Sequence, residues 1–369
     1  IVEYAQGKKK LQDIKGIAGR EGDKVFVTER REFTQVLESL PFPDNESFDI
    51  YASGIITYGL ITSRGCPYDC TYCNGPAVSG KKLRYRRAEN VIAELLNMKK
   101  KYPNLRWLHI LDDNFTLNIK RAKEICQAML DNKLNQKWML PNGIRADKID
   151  DELAELMYKS GCKLVKIGIE SGDEEVFRSI NKGEELKDIE NGVSTLKRAG
   201  IAVEGSFIMG LPLSTYEKDM RSIEFAKELN LDSAWFHIFN PLRGTKAAEM
   251  AFAQKGVRRL QPESKPIAFF HTFPYSVFDT SDYPEKDRIK AYMKGNLRFN
   301  DYQFTREYAK STLALARLFI IIRLIIQYDT LRIPVHLLKL VRKGYISLSR
   351  RVSGIKRCTK TKYRMEPAI

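Results

Sequence analysis

One supersecondary unit recurs six times between residues 51 and 255. Short runs rich in β-branched and aromatic residues, which predict buried strands, alternate with segments whose apolar residues recur three and four positions apart, which predict helices. The predicted strands are 55–62, 105–111, 137–140, 163–169, 201–209 and 233–239. This alternation predicts an α/β protein with a parallel sheet covered by helices, either an open doubly wound sheet or a complete or partial barrel.

Three of the six cysteines lie in the loop after the first predicted strand, in the sequence TSRGCPYDCTYCNGP (62–76). In either architecture, chemistry is expected where the carboxyl ends of strands meet the loops. Thiolates suit zinc, copper or iron–sulfur centres. A structural zinc site needs four ligands, whereas this segment supplies only Cys66, Cys70 and Cys73. An iron–sulfur cluster on three cysteines would keep one iron open to another ligand. The alternatives are an incidental thiol cluster and a zinc site completed by a remote residue.

The sequence CPYDCTYC resembles the CxxxCxxC motif of the radical S-adenosylmethionine (SAM) superfamily. The resemblance implies a 4Fe-4S cluster on Cys66, Cys70 and Cys73, with SAM at the open iron. It further implies that an electron, delivered by a donor such as flavodoxin or ferredoxin, splits SAM into a 5′-deoxyadenosyl radical that abstracts a substrate hydrogen. Tyr72, just before the last cysteine, would pack near the adenine. The implied fold is a partial (β/α)6 TIM-like barrel over residues 51–260.

Segments at the ends of the other predicted strands extend the resemblance. They contain the remaining residues that we expect to bind the cofactor, namely Asp113, Asn114, Arg145, Glu170, Ser171, Ile208 and Gly210. By resemblance, Glu170 would lie near the ribose or amino group of SAM with Ser171 beside it. Exposed backbone around Ile208 and Gly210 would meet the adenine. Arg145 offers a bidentate donor for a carboxylate.

Several of these residues have a structural alternative. Asp113 or Asn114 could instead cap the following helix, and Arg145 could be a surface residue paired with Asp147. Glu170 stands among apolar neighbours, where an unpaired carboxylate would be costly, and this favours a ligand or cofactor role. Cys126 and Cys162 are predicted to be core residues.

The sequence GLP at 210–212 is followed by Leu213, where members of the superfamily often have glycine. This departure bears on the conformation of the loop expected to contact the adenine.

Residues 1–50, and LPFPD ending at Asp44 in particular, resemble the connector that precedes the barrel in the cobalamin-dependent branch of the superfamily. That branch includes methyltransferases and the anaerobic magnesium-protoporphyrin cyclase, so we expect a C-methyltransferase or a related oxidoreductase or cyclase. The DxHxxG cobalamin-ligand loop does not occur in the sequence, which begins with Ile. We therefore interpret the chain either as a fragment without its N-terminal cobalamin domain or as a protein that does not bind cobalamin. An ordinary strand-and-turn extension is the alternative for residues 1–50.

The composition, with 43% hydrophobic and 29% charged residues, is that of a globular protein with a sizeable core. Scattered cysteines do not form a secreted disulfide framework, so a reducing compartment is favoured and the cytoplasm is expected.

Residues 261–369 are predicted to be mostly helical and basic, and residues 308–369 contain 14 basic and two acidic residues. The apolar run LALARLFIIIRLII (313–326) is too short and too charged to span a membrane. Apolar and basic residues together favour an interfacial helix, hence peripheral contact with anionic lipid on the inner face of the membrane and a small or lipid-soluble substrate. Nucleic-acid binding is the competing use of this charge.

Two other protein classes remain open. A non-catalytic electron-transfer module would normally ligate its cluster with four cysteines. An RNA-modifying methylthiotransferase would share the barrel, but a small β-rich RNA-binding domain is expected after it. The sequence after Pro262 is predicted to be helical instead, which ranks this alternative lower.

Overall fold

A computed structural model describes residues 2–44, 57–254, 256–260 and 276–308 of the chain. The principal strands are β1 (Thr57–Leu60), β2 (Trp107–Ile110), β3 (Trp138–Ile144), β4 (Cys162–Glu170), β5 (Ala202–Met209) and β6 (Ser233–Ile238). The principal helices are α1 (Ala88–Lys101), α2 (Ile119–Asp131), α3 (Asp151–Lys159), α4 (Glu174–Ser179), α5 (Leu186–Arg198), α6 (Tyr216–Glu228), α7 (Lys246–Phe252) and α8 (Glu285–Tyr308).

Shorter elements surround this framework. Two-stranded antiparallel ribbons join Ala18–Glu21 to Lys24–Val27, Ser63–Arg64 to Arg84–Tyr85, and Arg258–Arg259 to Phe278–Asp279. Short helices occupy Val2–Ala5 and Gly75–Ser79, and 3-10 turns occupy Leu11–Asp13, Leu37–Ser39, Phe115–Leu117 and Ala146–Lys148.

The six principal strands form one parallel sheet in the order β6-β5-β4-β3-β2-β1. The spatial order follows the chain order without a reversal. A doubly wound sheet would reverse its strand order at a switch point, so the sheet is wound in one direction, as a barrel is. Within the part of the chain that the structure describes, β1 and β6 do not pair, and the barrel is partial. The predicted strands and fold class are confirmed, although β3 continues to Ile144, beyond its predicted end at 140.

The core lies between the sheet and the helices. Alternate residues of β5 are fully buried, and Val203 and Phe207 belong to one apolar cluster with helix residues such as Leu95 and Leu196. Cys126 and Cys162 are buried in the same cluster, as predicted. Their full burial gives them a structural role.

Local sequence signals set the helix boundaries. The side chains of the N-cap residues Asn118, Asp150, Asp173, Thr215 and Thr245 each accept a hydrogen bond from a backbone N–H of the first turn. Gly161 ends the segment after α3 with φ +106°, where a Cβ would lie 2.3 Å from the carbonyl oxygen of Gln136. Only glycine fits this close approach.

Helix α8 covers the open edge of the sheet at β6. The Asn296 side chain donates to the carbonyl oxygen of Phe236 (3.0 Å) and accepts from its N–H (3.5 Å). Gly295 allows this approach, because a Cβ there would lie 2.6 Å from the Phe236 ring. The side-chain amide therefore takes the place of a seventh strand at this residue and protects an edge that would otherwise expose backbone groups.

Two predictions concern residues outside the described ranges, namely those for the apolar run 313–326 and for most of the basic segment 308–369. Within the described ranges, every helix is too short or too polar to cross a bilayer. The domain boundaries at 50 and 260 remain predictions.

Candidate functional site

The cysteine loop, residues 65–83, follows β1 at the carboxyl edge of the sheet. It starts at Gly65, whose backbone conformation is set by the surrounding contacts. Gly65 has φ +96°, and a Cβ there would lie 2.4 Å from the carbonyl oxygen of Lys82. Its N–H donates to Oδ2 of Asp113 at 2.9 Å. The N–H of Cys66 donates to the carbonyl of Gly80 at 3.1 Å. These contacts fix the direction in which the loop leaves the sheet.

Two other elements hold the middle of the loop. The N–H of Thr71 donates to the carbonyl of Ile180 at 2.8 Å, just after α4. The carbonyl of Thr71 accepts from the N–H of Ala247 in α7 at 2.9 Å. Asn181 also donates to the Asp69 carbonyl at 3.2 Å. Segments that follow β4 and β6 thus position the cysteines that follow β1.

The three thiols lie within electrostatic reach of one another. Burial, and then the neighbouring Cys73, raises the pKa of Cys70 to about 11. Burial also raises the pKa values of Cys66 and Cys73, although Gly75 donates its N–H to the Cys73 sulfur at 3.2 Å. A metal centre that binds here must therefore displace protons from the thiols.

The number of thiols in this loop bears on the kind of metal centre. The loop supplies three thiols, whereas a structural zinc site takes four protein ligands. In an iron–sulfur cluster each cysteine binds a different iron, so three thiols would fit a 4Fe-4S cluster that keeps one iron open to another ligand.

Tyr72 and Glu170 connect the cysteine loop to the end of β4. The Tyr72 hydroxyl donates to Oε1 of Glu170 at 2.9 Å. Burial, and then the Glu170 carboxylate, raises the pKa of Tyr72, so the phenol remains a donor. Glu170 is 7% exposed, and burial raises its pKa against the opposing effect of Lys182. A carboxyl group held in this way can accept a hydrogen bond from an ammonium or hydroxyl group of a ligand.

The backbone at Glu170 is strained. Its φ is +67°, and the pairing of β4 with β5 shifts register between Gly168 and Glu170. A non-glycine residue in this region costs about 1–3 kcal/mol and persists where the surroundings impose it, often at functional sites. A side chain at Gly168 would displace the Glu170 carboxylate, since a Cβ there would lie 2.3 Å from Oε1 of Glu170.

The acidic pair after β2 supports the cysteine loop. Asp112 accepts from the N–H of Thr62 at 2.6 Å and from the Ser63 hydroxyl at 2.6 Å. Asp113 accepts from Gly65, as above, and Asn114 is 4% exposed. The following 3-10 turn has no side-chain cap, and Asn118 caps α2. The capping alternative for Asp113 and Asn114 is therefore wrong.

Arg145 follows β3 and is buried over an aromatic ring. Its guanidinium carbon lies 3.7 Å from the centre of the Tyr68 ring, and Nε donates to Asp147 at 2.9 Å. Nη1 donates to the carbonyl of Lys182, and Nη2 donates to that of Gly183 at 2.7 Å. The expected Asp147 pair is present, but Arg145 is only 5% exposed and is not a surface residue.

The other predicted cofactor residues lie after β4 and within or after β5. Ser171 is 2% exposed, and its hydroxyl accepts from the N–H of Asp173 at 3.1 Å. Ile208 is partly buried against the core. Both backbone groups of Gly210 are bonded, its N–H to Asp219 and its carbonyl to Arg288. The contacts that these residues would make with a cofactor remain predictions.

Leu213, the departure from the expected glycine, adopts φ +66° and is 50% exposed. This is the left-handed conformation that glycine adopts without cost. The leucine therefore takes the backbone conformation that a glycine would take.

Four buried charged residues near the carboxyl edge of the sheet were not predicted from the sequence, namely Lys182, Glu184, Asp219 and Arg288. Lys182 is 6% exposed, pairs with Glu184 at 2.7 Å and donates to the Gly168 carbonyl beside Glu170. These residues stand in turns or in helices far apart in the chain, without periodicity or a motif. The one local signal in the sequence was at Arg288, where a charged residue lies on an otherwise apolar face of a predicted helix.

The profile of the Radical SAM superfamily matches residues 60–226. An uncharacterized methyltransferase of Pyrococcus horikoshii is 33% identical over 256 residues, which cover 69% of this chain and 55% of that protein. Cytidylyl-2-hydroxyethylphosphonate methyltransferase of Streptomyces wedmorensis is 31% identical over 229 residues, covering 57% of this chain and 42% of that protein. The chain spans about half the length of the curated relatives it matches.

Solved structures share the fold. The radical S-adenosylmethionine methyltransferase TsrM from Kitasatospora setae, with tryptophan substrate and a SAM analogue bound, superposes with a TM-score of 0.57 at 16% identity, over 71% of this chain and 54% of that chain. The cobalamin-dependent S-adenosylmethionine radical enzyme OxsB gives a TM-score of 0.53 at 20% identity, over 68% and 36% of the two chains.

Proposed function

We propose that the chain, whose residues 60–226 match the radical SAM superfamily, is an enzyme that cleaves SAM reductively at a 4Fe-4S cluster held by Cys66, Cys70 and Cys73. The observation that carries the proposal is the position of these thiols. They lie in one loop at the carboxyl edge of a parallel sheet wound as a barrel. When bound, the cluster would supply the electron that splits SAM into methionine and a 5′-deoxyadenosyl radical.

The residues around the loop have distinct roles in this proposal. Asp113 fixes Gly65 and so the start of the loop. Tyr72 would cover the adenine while its hydroxyl orients Glu170. Glu170 would accept a hydrogen bond from the amino group or ribose of SAM. Lys182, buried beside it, offsets the charge of that carboxylate.

The test is anaerobic reconstitution with iron and sulfide, followed by reduction in the presence of SAM. We expect about four irons per chain and slow release of 5′-deoxyadenosine without added substrate. Radical SAM enzymes need an electron donor, and flavodoxin or ferredoxin should replace the chemical reductant. A chain that binds one zinc ion and releases no 5′-deoxyadenosine would contradict the proposal.

For the reaction class, we propose methyl transfer to carbon or a related cyclisation, with cobalamin supplied by a domain outside this sequence. The supporting observations are methyltransferases among the relatives, an anaerobic magnesium-protoporphyrin IX monomethyl ester cyclase of Rubrivivax gelatinosus, and a shared fold with cobalamin-dependent enzymes. The upstream coding sequence tests this directly. If that sequence encodes no cobalamin-binding domain and the intact protein binds no cobalamin, this assignment fails.

A second candidate is methylthiolation of RNA, since tRNA-2-methylthio-N(6)-dimethylallyladenosine synthase of Sulfurihydrogenibium is 22% identical over 231 residues. After the barrel, the described residues 276–308 form a long helix preceded by a short ribbon, which supports this candidate less than methyl transfer. Reactions with SAM labelled in its methyl group distinguish the two candidates when the products are analysed by mass. Only methylthiolation adds sulfur to the product, whereas methyl transfer does not.

For the basic segment 308–369, we propose peripheral contact with anionic lipid on the cytoplasmic side of the membrane. The support is the sequence alone, in which 14 basic residues accompany a dense apolar run. Sedimentation of the chain with neutral and anionic vesicles, with and without competing RNA, tests it. Equal binding to both vesicles, or preference for RNA, would contradict the proposal.

A further inference from the structure

In the loop after β5, residues 210–214, the backbone N–H and carbonyl of the first residue are both hydrogen-bonded to buried side chains. Gly210 has φ +77°, its N–H donates to Oδ2 of Asp219 at 2.8 Å, and its carbonyl accepts from Arg288 at 2.6 Å. A Cβ at Gly210 would lie 2.5 Å from Nη1 of Arg288. The glycine therefore permits the guanidinium to reach the backbone.

Asp219 gathers three donors around one buried carboxylate. Besides the Gly210 N–H, it accepts from the Ser214 hydroxyl at 2.5 Å and from the Tyr283 hydroxyl at 2.5 Å. The carboxylate is 2% exposed. One side chain of α6 thus joins both ends of the loop to the segment before α8.

Arg288, in α8, is itself fully enclosed, with 1% of its surface exposed. Its Nε donates to the Tyr283 carbonyl at 2.9 Å, and its guanidinium lies over the rings of Phe278 (4.3 Å) and Tyr283 (4.7 Å). A guanidinium is costly to bury unless its donors are satisfied and a counter-charge is near. Here aromatic faces, carbonyl oxygens and the Asp219 carboxylate provide that environment.

The loop needs such support because its backbone is strained. Leu213 has φ +66° with half of its side chain in solvent, so its own packing contributes little to the strained conformation. Lys218 donates to its carbonyl at 3.0 Å. A leucine in this conformation persists where its surroundings impose it.

Together these contacts have a consequence for the proposed reaction. We propose that Asp219, Tyr283 and Arg288 are positioning residues that hold the loop 210–214 in the conformation that receives SAM. The functional unit of this chain then extends through α8, past the residues 60–226 that match the superfamily. This inference rests on the proposed function, because it assigns the loop to SAM.

Two measurements on the whole chain test the inference. The first is amide hydrogen exchange in protein without cluster or SAM. Tyr283→Phe, which removes only the hydroxyl, and Arg288→Met should each increase exchange at Gly210 and its loop by about tenfold or more, as loss of a buried charged hydrogen bond would. Arg288→Lys, which keeps one donor, should restore part of the protection.

The second measurement is SAM affinity of the reconstituted protein, with iron content as reference. Tyr283→Phe should weaken SAM binding several-fold and Arg288→Met by about tenfold or more, while iron content stays at the wild-type level. Arg258→Gln is the matched control, because it breaks an exposed ion pair with Asp279 in the same segment without touching the loop. The control should match wild type in both measurements.

The outcomes separate the two proposals. Unchanged loop exchange in the Tyr283 and Arg288 variants overturns the inference whatever the cofactor does. Faster exchange with unchanged SAM affinity, in a wild-type protein that binds SAM, also overturns it and leaves the proposed function intact. Wild-type protein that assembles no cluster and binds no SAM overturns the proposed function itself, and the SAM-positioning role with it.

Discussion

The phenolic oxygen of Tyr72 lies 2.9 Å from Oε1 of Glu170, and this hydrogen bond joins two segments that are 98 residues apart in the chain. It connects the cysteine loop with a strained residue at the end of β4. The hydrogen bond therefore couples the position of the cysteine loop to that of the proposed SAM contact. Disturbing either residue should affect cofactor binding before it affects the fold.

Replacing Glu170 with Gln or Ala should weaken SAM binding by about tenfold without loss of iron, because the carboxylate is proposed to accept a hydrogen bond from a charged group. Tyr72→Phe should have a smaller effect in the same direction. Calorimetric titration of reconstituted protein with SAM measures this. Glu204→Gln, which changes a partly buried carboxylate paired with Lys166, serves as the control. Normal SAM affinity in Glu170→Ala would return Glu170 to a structural role.

Changing Cys66, Cys70 or Cys73 to Ala should each abolish the cluster, because each thiolate is proposed to bind a different iron. Cys126→Ala is the matched control. That thiol is fully buried in the core, so its loss should lower stability by about 1–2 kcal/mol while iron content is retained. Iron analysis and visible absorbance after anaerobic reconstitution report the result. A full cluster in any of the three variants would refute the assignment.

Stability should depend on pH through Asp219. Burial raises the pKa of this carboxyl to about 6 from an ordinary value of 3.8, despite donors at Ser214, Tyr283 and Gly210 and the nearby Arg288 guanidinium. The folded state therefore binds the proton more tightly than the unfolded state. The free energy of unfolding should fall by roughly 2–3 kcal/mol from this group as pH rises from about 4 to about 6, and then level off.

Urea unfolding of wild type and Asp219→Asn between pH 4 and pH 7 isolates this effect, because the variant lacks the titrating group. The difference in free energy of unfolding between the two proteins should change with pH in the stated direction. Asp279→Asn is the control. Burial of Asp279 is outweighed by hydrogen bonds from Arg258 and the Glu285 N–H, which lower the pKa of its carboxyl from the ordinary 3.8. This group therefore titrates below the measured range, and its difference from wild type should stay nearly constant between pH 4 and pH 7. A pH-independent difference for Asp219→Asn would contradict the prediction.

Leu213→Gly should be tolerated, with a change in the free energy of unfolding within about 1 kcal/mol. Glycine relieves the positive φ but adds conformational entropy to the unfolded chain, and the two effects are similar in size. Leu213→Val, with a β-branched side chain at φ +66°, should destabilise the protein more. Thermal unfolding of both variants compares them. Equal melting temperatures would show that the loop adopts another conformation.

Asn296→Leu should destabilise the protein by about 2–3 kcal/mol, because the N–H and carbonyl of Phe236 would lose their partners in a buried setting. Asn97→Leu, at an exposed position of α1, introduces the same side chain away from the sheet edge and serves as the reference. Chemical denaturation measures the difference. Equal stability of the two variants would mean that Asn296 does not protect the sheet edge.

The sheet and the place of the cysteine loop were predictable from the sequence. Strand and helix periodicities are local, and they predicted all six strands within a few residues of their observed ends. Three cysteines within eight positions also form a local signal, and parallel strands bring their carboxyl ends to one edge whatever the loops contain. For these reasons the position of Cys66, Cys70 and Cys73 followed from the chain alone.

The side chains that meet at that edge could be identified only from the packed structure. The strand order without reversal distinguished a barrel from a doubly wound sheet. The contacts of Glu170 with Tyr72, and of Arg288 with Gly210, join positions separated by 98 and 78 residues. Such pairs carry no periodicity, because each depends on burial and hydrogen bonding that exist only after the helices have packed against the sheet.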